Sequence, residues 1–178
     1  MKQIKLIDKE FELVIPASDI QKAIWAVAAK MNVDLKDKDP LMLCILNGSF
    51  MFSADLLKLI EFPCQISFVK LASYEGMGSS GKVKELIGFN ESPEGRTVVL
   101  IEGIVDSGIT VENCINQLKK LNAKEIIVAT LLFKPDALKK DIKLDYIGIE
   151  IPNDFIVGYG LDYNGYGRNL PDIYSLIQ

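Results

Sequence analysis

The chain has 178 residues, of which 49% are hydrophobic and 25% charged, and its formal net charge is −4. This is the length of one domain and the composition of an ordinary globular protein. The acidic balance argues against non-specific nucleic-acid binding. The absence of histidine excludes Ser-His-Asp hydrolysis and histidine-ligated zinc.

Targeting signals are not evident in the sequence. Residues 1–13 lack the apolar stretch of a secretory signal, and no apolar run approaches membrane-spanning length. Cys44, Cys64 and Cys114 are scattered, odd in number and not at metal-ligand spacing. We therefore expect a cytoplasmic protein with neither a membrane nor a nucleic acid as partner.

Short apolar runs alternate with helical patterns along the chain. The first helix follows Pro16, where Ser18 and Gln21 fit a capping box. Its apolar residues recur with the helical period: Ile20, Ile24, Val27, Ala28 and Met31. Further elements are strands at 41–46, 65–71, 98–105, 125–133 and 146–151, and helices at 50–60 and 111–121. This alternation predicts an α/β fold with a parallel twisted sheet flanked by helices.

Residues 73–95 interrupt this alternation. The segment is rich in glycine and serine, and only residues 83–89 could form a strand pair or an edge strand. Long segments of this kind in a compact domain are usually functional lids or disordered. Two interpretations therefore remain open: a mobile lid over a site, and a passive surface insertion.

The stretch VVLIEGIVDSGIT, residues 98–110, begins as a buried strand and ends in a turn that starts a helix. Ligands of open α/β sheets bind beyond the carboxyl ends of the strands. Here Asp106, Ser107 and Gly108 precede the helix, whose free N–H groups and dipole suit a phosphate. A plain helix cap is the alternative, since aspartate and serine favour helix starts in any protein.

Glu102 lies at the mouth of the same apolar strand. A carboxylate buried there would be costly without a partner, and a sugar diol would supply two hydroxyl donors. Residues 98–110 contain neither a Walker loop nor a G-x-G-x-x-G motif. The stretch therefore predicts a ribose 5-phosphate as the ligand.

Residues 98–110 resemble the phosphoribosyl-pyrophosphate (PRPP) motif of type I phosphoribosyltransferases. LNGSFMFSADL, residues 46–56, is similar to the pyrophosphate loop of the hypoxanthine(-guanine) branch. Ser73-Tyr74, followed by glycines and serines, resembles the flexible catalytic loop of that branch. Lys134-Pro135 and the tail at 145–176 are similar to its purine-binding segments.

The resemblance implies which residues bind PRPP. Glu102 is expected to hold the ribose hydroxyls and, together with Asp162, a Mg²⁺ ion. Arg168 is expected to contact the pyrophosphate. The loop residues Leu46, Asn47 and Gly48 would bind it through backbone N–H groups, with a non-proline cis peptide. The 5-phosphate would lie on the backbone and hydroxyls of Asp106, Ser107, Gly108, Ile109 and Thr110.

The resemblance also implies how the purine is bound. Asp106 would lie near N7 as the general base, and Lys134 would donate to the 6-oxo group. Phe155 would stack on the purine, and Ile156 would read its edge through the backbone. The expected purine-binding residues are thus Lys134, Phe155, Ile156 and Asp162, and the catalytic residues are Asp106, Ser73 and Tyr74.

The implied protein is a hypoxanthine phosphoribosyltransferase of purine salvage. It would be a single domain over residues 1–178, with a Rossmann-like sheet and a small hood from the chain ends. Residues 150–178 would contribute to the purine-binding hood, and residues 73–95 would form the flexible catalytic loop. Its substrates would be PRPP and hypoxanthine or guanine, and it would assemble as a homodimer or homotetramer. The alternatives are a transferase that prefers xanthine, and a non-catalytic nucleotide-sensing or RNA-binding regulator on the same fold.

One residue departs from the family pattern. Gly103 stands where the second of two adjacent acidic residues is usual. We therefore expect weaker PRPP binding or an altered metal requirement. On this view, Gly103→Asp should lower the KM for PRPP.

Overall fold

The computed structural model describes residues 2–72, 84–87 and 91–177. Its helices are α1 (Ala17–Asp34), α2 (Phe50–Leu57) and α3 (Ile109–Lys120), with a 3₁₀ turn at Pro135–Ala137. Its strands are β1 (Gln3–Leu6), β2 (Lys9–Ile15), β3 (Leu41–Leu46), β4 (Gln65–Ala72), β5 (Lys84–Ile87), β6 (Thr97–Val105), β7 (Glu125–Phe133), β8 (Tyr146–Glu150), β9 (Ile156–Val157) and β10 (Ile173–Leu176).

The larger sheet has the strand order β5-β4-β3-β6-β7-β8. Strands β4, β3, β6, β7 and β8 run parallel to one another, which confirms the predicted parallel α/β fold. At one edge, β5 runs antiparallel to β4. This is an edge strand within the interval 83–89, one of the two possibilities that the sequence left open.

The two faces of this sheet bury alternate residues of the same strands. Met42 and Cys44 of β3 pack in the cluster that contains the apolar face of α1. Leu41 and Leu43 pack on the opposite face, in the cluster that contains Val111 of α3. Burial on both faces explains why the parallel strands are continuous apolar runs rather than alternating ones.

The start of α1 differs from the sequence prediction. The five predicted apolar residues are buried, but the N-cap is Pro16, which makes no side-chain capping hydrogen bond. The predicted Ser18–Gln21 capping box is therefore wrong. Instead, Asp172 accepts a hydrogen bond from the backbone N–H of Ala17 at 2.8 Å. A carboxylate from the far end of the chain satisfies a donor that a local cap would otherwise satisfy.

The chain ends form a second, antiparallel sheet in the order β1-β2-β10-β9. Phe11, Val157 and Tyr174 form its small core. The sheet lies where the family resemblance implied a small hood from the chain ends, although its strands were not predicted from the pattern. β9 and β10 have only two and four residues, so the partner strands rather than local periodicity define them.

Three further findings complete the comparison with the predicted elements. α2 ends at Leu57 rather than at residue 60, and α3 begins at Ile109, immediately after Gly108. Ser73 and Tyr74 lie outside the described residues, as does much of the predicted catalytic loop. Within the described chain, no helix combines the length and hydropathy needed to cross a bilayer.

Candidate active site

The predicted site residues follow the carboxyl ends of three neighbouring strands. Asn47 follows β3, Asp106 follows β6 and Lys134 follows β7. β3 pairs with β6, and β6 with β7, in parallel register up to Val105 and Phe133. Parallel strands end at the same edge of a sheet, so the fold gathers these residues where α/β proteins bind ligands.

The turn between β6 and α3 forms a cradle around a cavity of about 270 Å³, lined by residue 102 and residues 104–111. Gly108 is the N-cap of α3, with a φ of 82°, and no side chain makes a capping hydrogen bond. Asp106 and Ser107 therefore do not cap the helix, which argues against the plain-cap interpretation. The helix start keeps donors and a positive dipole end for an anion.

Glu102 lies beneath this cradle with only 7% of its surface exposed. Its Oε1 accepts a hydrogen bond from the backbone N–H of Gly103 at 2.8 Å. Burial raises the pKa of the carboxyl to about 8, because desolvation outweighs the N–H groups of Gly103 and Ile104, which favour the charged form. A carboxyl with a raised pKa beside an anion cradle is typical of functional sites.

Lys134 and Asp106 form an ion pair across the same edge, with Nζ 3.3 Å from Oδ2. The lysine side chain is 8% exposed, whereas that of Asp106 is 52% exposed. A solvated lysine at a strand end, the ordinary interpretation of such a residue, is therefore excluded. The pair presents a buried cation and an accessible carboxylate side by side, as a donor and an acceptor for one ligand.

The loop between β3 and α2 contains a cis peptide bond between Leu46 and Asn47, as the resemblance implied. Ser49 is fully buried, and its hydroxyl donates to the carbonyl of Ile45 at 2.7 Å. This bond ties the end of the loop back to β3. Glu102 lies close to the loop, since a Cβ added to Gly48 would be 3.9 Å from Oε1.

The C-terminal segment brings Asp162 and Arg168 together. Arg168 Nη2 lies 2.5 Å from Asp162 Oδ1, and both side chains are less than one-third exposed. Arg168 also donates to the carbonyl of Gly160 at 2.7 Å, and Gly165 N–H donates to Asp162 Oδ2 at 2.7 Å. The pair is more buried and more tightly bonded than an ordinary surface pair.

Phe155 and Ile156 have different environments. The ring of Phe155 is edge-on to Tyr163 at 6.0 Å between centroids, and the side chain remains 47% exposed. An aromatic face that is fixed by neighbours yet open to solvent can stack on a planar ligand. Ile156 is buried in β9 and lines a separate cavity of about 250 Å³.

A larger cavity of about 420 Å³ lies elsewhere, between α3 and the amino-terminal end of β7. Charges of both signs line it, and neighbouring pairs such as Lys143–Asp145, at 2.5 Å, neutralise one another. It lies at the opposite end of β7 from Lys134. The smaller cradle, which contains the predicted site residues, is therefore the better candidate for the functional site.

Two contacts at this site were missed by the sequence interpretation. The Gly48 carbonyl packs against both Gly103 and Gly160, and the Tyr159 hydroxyl bonds to Asp55 of α2. The glycine run in GYGLDYNGYG was the available signal for close backbone approach at Gly160. For Gly103 the signal was a glycine within an otherwise bulky strand.

Comparison with known proteins agrees with this geometry. Residues 16–164 match the family model described as phosphoribosyl transferase domain. The hypoxanthine-guanine phosphoribosyltransferase of Bacillus subtilis (strain 168) is 39% identical over 163 residues, which cover 91% of each chain.

Solved structures of similar proteins agree as well. A hypoxanthine phosphoribosyltransferase from Staphylococcus aureus superposes with a TM-score of 0.88 at 36% identity, over 93% of this chain and 91% of that one. A hypoxanthine-guanine phosphoribosyltransferase from Bacillus anthracis gives 0.86 at 32% identity, over 94% and 97%. With the cradle, the Lys134–Asp106 pair and these relatives together, the chain belongs to the phosphoribosyl transferase family, in its hypoxanthine-guanine branch.

Proposed function

We propose that this chain transfers the 5-phosphoribosyl group of PRPP to N9 of hypoxanthine, and also of guanine. The products are the purine 5′-monophosphate and pyrophosphate. The observation that carries the proposal is the buried Lys134 Nζ, 3.3 Å from Asp106 Oδ2, at the edge of the phosphate cradle. It provides a donor for the 6-oxo group and an acceptor for the N7 proton of one purine.

The same pair accounts for the choice of base. The Lys134 ammonium has only donors, so it can bond to an oxo group at position 6 of the purine. Adenine has an amino group there. Its N–H groups would face the N–H groups of Lys134, so two donors would be opposed with no acceptor between them. We infer that Phe155 stacks on the purine and that the Ile156 backbone reads its edge, within a hood to which residues 150–178 contribute.

The phosphoribosyl part of PRPP would lie between β6 and α3. The 5-phosphate accepts from the backbone and hydroxyls of residues 106–110, where the α3 dipole favours negative charge. The Glu102 carboxyl accepts from the ribose hydroxyls. These hydrogen bonds would offset the desolvation cost of the buried carboxylate, which is high when the carboxylate has no partner.

The pyrophosphate would contact Arg168 and the backbone N–H groups of Leu46, Asn47 and Gly48. No cluster of three or more metal-ligating side chains occurs in the described part of the chain. This suits Mg²⁺ carried by the substrate, because protein sites usually hold Mg²⁺ through one or two carboxylates plus phosphates. Asp162 and Glu102 are the carboxylates that fit, and Asp162 keeps lone pairs beyond those bonded to Arg168 and Gly165.

Bond breaking at C1′ puts positive charge on the ribose and negative charge on the leaving pyrophosphate. Bound Mg²⁺ would supply neutralising charge to that leaving group. Asp106 removes the proton from the purine and stabilises the cationic sugar, and Arg168 stabilises the leaving group. Ser73 and Tyr74, in a catalytic loop at 73–95, would close over the reaction and keep water from replacing the purine.

We further propose that residues 1–178 act as one domain and that the chain assembles as a homodimer or homotetramer. The buried Cys44 and the partly buried Cys64 are both free thiols. Free thiols persist in a reducing compartment, which supports a cytoplasmic location.

A purine panel tests the proposed activity. Hypoxanthine, guanine, xanthine and adenine are each supplied with PRPP and Mg²⁺, and nucleotide formation is followed by absorbance. We expect turnover of hypoxanthine and guanine and none of adenine. A preference for xanthine would revise the base specificity, and PRPP binding without turnover of any base would contradict the transferase activity.

A further inference from the structure

The carbonyl oxygen of Gly48, in the loop between β3 and α2, is held between two other glycines. A Cβ on Gly103 would lie 2.6 Å from this oxygen and 2.8 Å from the Gly48 carbonyl carbon. A Cβ on Gly160 would lie 2.2 Å from the same oxygen. The obstacle in both cases is backbone, which cannot rotate away as a flexible side chain could.

Glycine is needed at these two positions for different reasons. Gly160 has a φ of 98°, so its conformation alone favours glycine. Gly103 is buried within β6 and is not among the residues with positive φ. Space for the neighbouring loop, not backbone conformation, is therefore the reason for glycine at position 103.

Gly160 also connects the loop to Arg168. The Gly160 N–H donates to the Arg168 carbonyl at 2.9 Å, and Arg168 Nη1 donates to the Gly160 carbonyl at 2.7 Å. The two polar partners expected for pyrophosphate, the loop and Arg168, thus meet at one residue. A displacement of Gly160 would move both.

Tyr159 fixes the position of Gly160 from the other side. It is 3% exposed, and its hydroxyl bonds to Asp55 of α2, the helix that directly follows the loop. Gln21 of α1 donates to the same Asp55 carboxylate at 3.0 Å and to the Tyr159 hydroxyl at 3.2 Å. The C-terminal segment and the loop are consequently held by one hydrogen-bonded network.

We propose that Gly103 and Gly160 are positioning residues for the pyrophosphate half of the PRPP site. They let the Gly48 backbone sit between β6 and the C-terminal segment, and so set the loop at a fixed distance from Glu102 and Arg168. This inference rests on the proposed function. It also reverses the expectation that Gly103→Asp lowers the KM for PRPP. Any side chain at position 103 must displace the loop that is to bind pyrophosphate, so the KM should rise.

The test compares two ligands that share ribose 5-phosphate but differ at C1′. PRPP with Mg²⁺ carries the pyrophosphate, and inosine 5′-monophosphate carries a base instead. Their dissociation constants are measured by calorimetry for the wild-type chain and for Gly103→Ala, which keeps the N–H that donates to Glu102. We expect Kd for PRPP to rise roughly ten- to a hundred-fold, as for the loss of about one hydrogen bond to a charged group, and Kd for the monophosphate to stay within about twofold.

A matched control is available in β8. A Cβ on Gly148 would lie 2.7 Å from the Leu131 carbonyl oxygen, a similar backbone clash away from the loop. Gly148→Ala should lower the melting temperature but leave the ratio of the two dissociation constants unchanged. An equal change of that ratio in Gly148→Ala and Gly103→Ala would overturn the proposal, since it would reflect general destabilisation.

Two further outcomes are decisive. If the wild-type chain binds both ligands and Gly103→Ala keeps its PRPP affinity, the positioning role is wrong while the proposed function stands. If the wild-type chain binds neither ligand, the proposed function fails and this inference with it. Should Gly103→Ala not fold, Tyr159→Phe removes the hydroxyl bonded to Asp55 without adding volume. Selective loss of PRPP affinity would support the proposal, and unchanged affinity would overturn it.

Discussion

Lys134 and Asp106 lie 3.3 Å apart, Nζ to Oδ2, at the ends of adjacent parallel strands. The lysine is buried and the aspartate is half exposed, so the pair is accessible from the aspartate side. A purine bound there would replace the Lys134–Asp106 ion pair with one hydrogen bond to each of the two side chains. In the proposed function, this ion pair determines both the choice of base and its activation.

Replacement of Lys134 by methionine should affect the base more than PRPP. The lost hydrogen bond to the 6-oxo group should raise the KM for hypoxanthine by about 10- to 100-fold, corresponding to roughly 1.4–3 kcal/mol. Steady-state kinetics with each substrate varied in turn measure the KM for hypoxanthine and the KM for PRPP separately. Lys30→Met, on the exposed surface of α1, is the control. An equal rise in the KM for PRPP would argue against a direct contact with the purine.

Replacement of Asp106 by asparagine keeps the shape of the side chain but removes its basicity. We expect kcat to fall by roughly 100-fold or more, the typical contribution of a general base, while the Kd for PRPP changes by a few-fold at most. Rapid-quench single-turnover kinetics separate the chemical step from binding and release. A chemical step of unchanged rate would exclude Asp106 as the base.

Replacement of Glu102 by glutamine should stabilise the protein at alkaline pH. The folded-state pKa of about 8 lies above the usual 4.5, so the folded state holds its proton more tightly than the unfolded state. The stability associated with that proton is complete below about pH 4.5 and is lost as pH rises through about 8. Between pH 5 and 8.5, the wild-type chain should lose roughly 2–4 kcal/mol of unfolding free energy relative to Glu102→Gln.

Urea unfolding of both proteins at several pH values measures this difference. PRPP binding to Glu102→Gln should weaken, since an amide accepts less strongly from the ribose hydroxyls than a carboxylate. Stability curves that run parallel across this pH range would contradict the buried titration of Glu102.

Replacement of Asp172 by alanine should destabilise the junction between α1 and the hood. Its carboxylate accepts from Ala17 N–H at 2.8 Å and from Lys2 Nζ at 2.7 Å. The bond from Lys2 and that from Ala17 hold the pKa of this carboxyl below its usual value, so its contribution is present above about pH 4 and is lost in more acidic solution. The expected cost at neutral pH is about 1–2 kcal/mol.

Asp19→Ala is the matched comparison for that variant, because Asp19 pairs with Lys22 at 2.8 Å on the exposed surface of the same helix. We expect its cost to be below about 0.5 kcal/mol. Equal losses in the two variants, measured by chemical denaturation, would show that Asp172 does not cap α1.

Several features of the fold were predictable because they are local. The five apolar residues of α1 recur with the helical period, and the apolar run at Leu41–Leu46 has the length of a strand and is followed by the turn residues Asn47-Gly48. The hood strands were not predictable in this way. β10 pairs with β2 and β9, so its identity depends on residues from both ends of the chain.

The sequence by itself determined the chemistry available to this protein: Glu102 near the carboxyl end of a buried strand, a turn with Gly108 that suits a phosphate, and no histidine to serve as a base. These follow from residue type and short-range spacing. The tertiary structure alone decided that Asp172 caps α1, that Lys134 is buried against Asp106, and that the Gly48 backbone fills the space beside Gly103. Such contacts join residues far apart in the chain, and they depend on strand register and close packing, which no local pattern encodes.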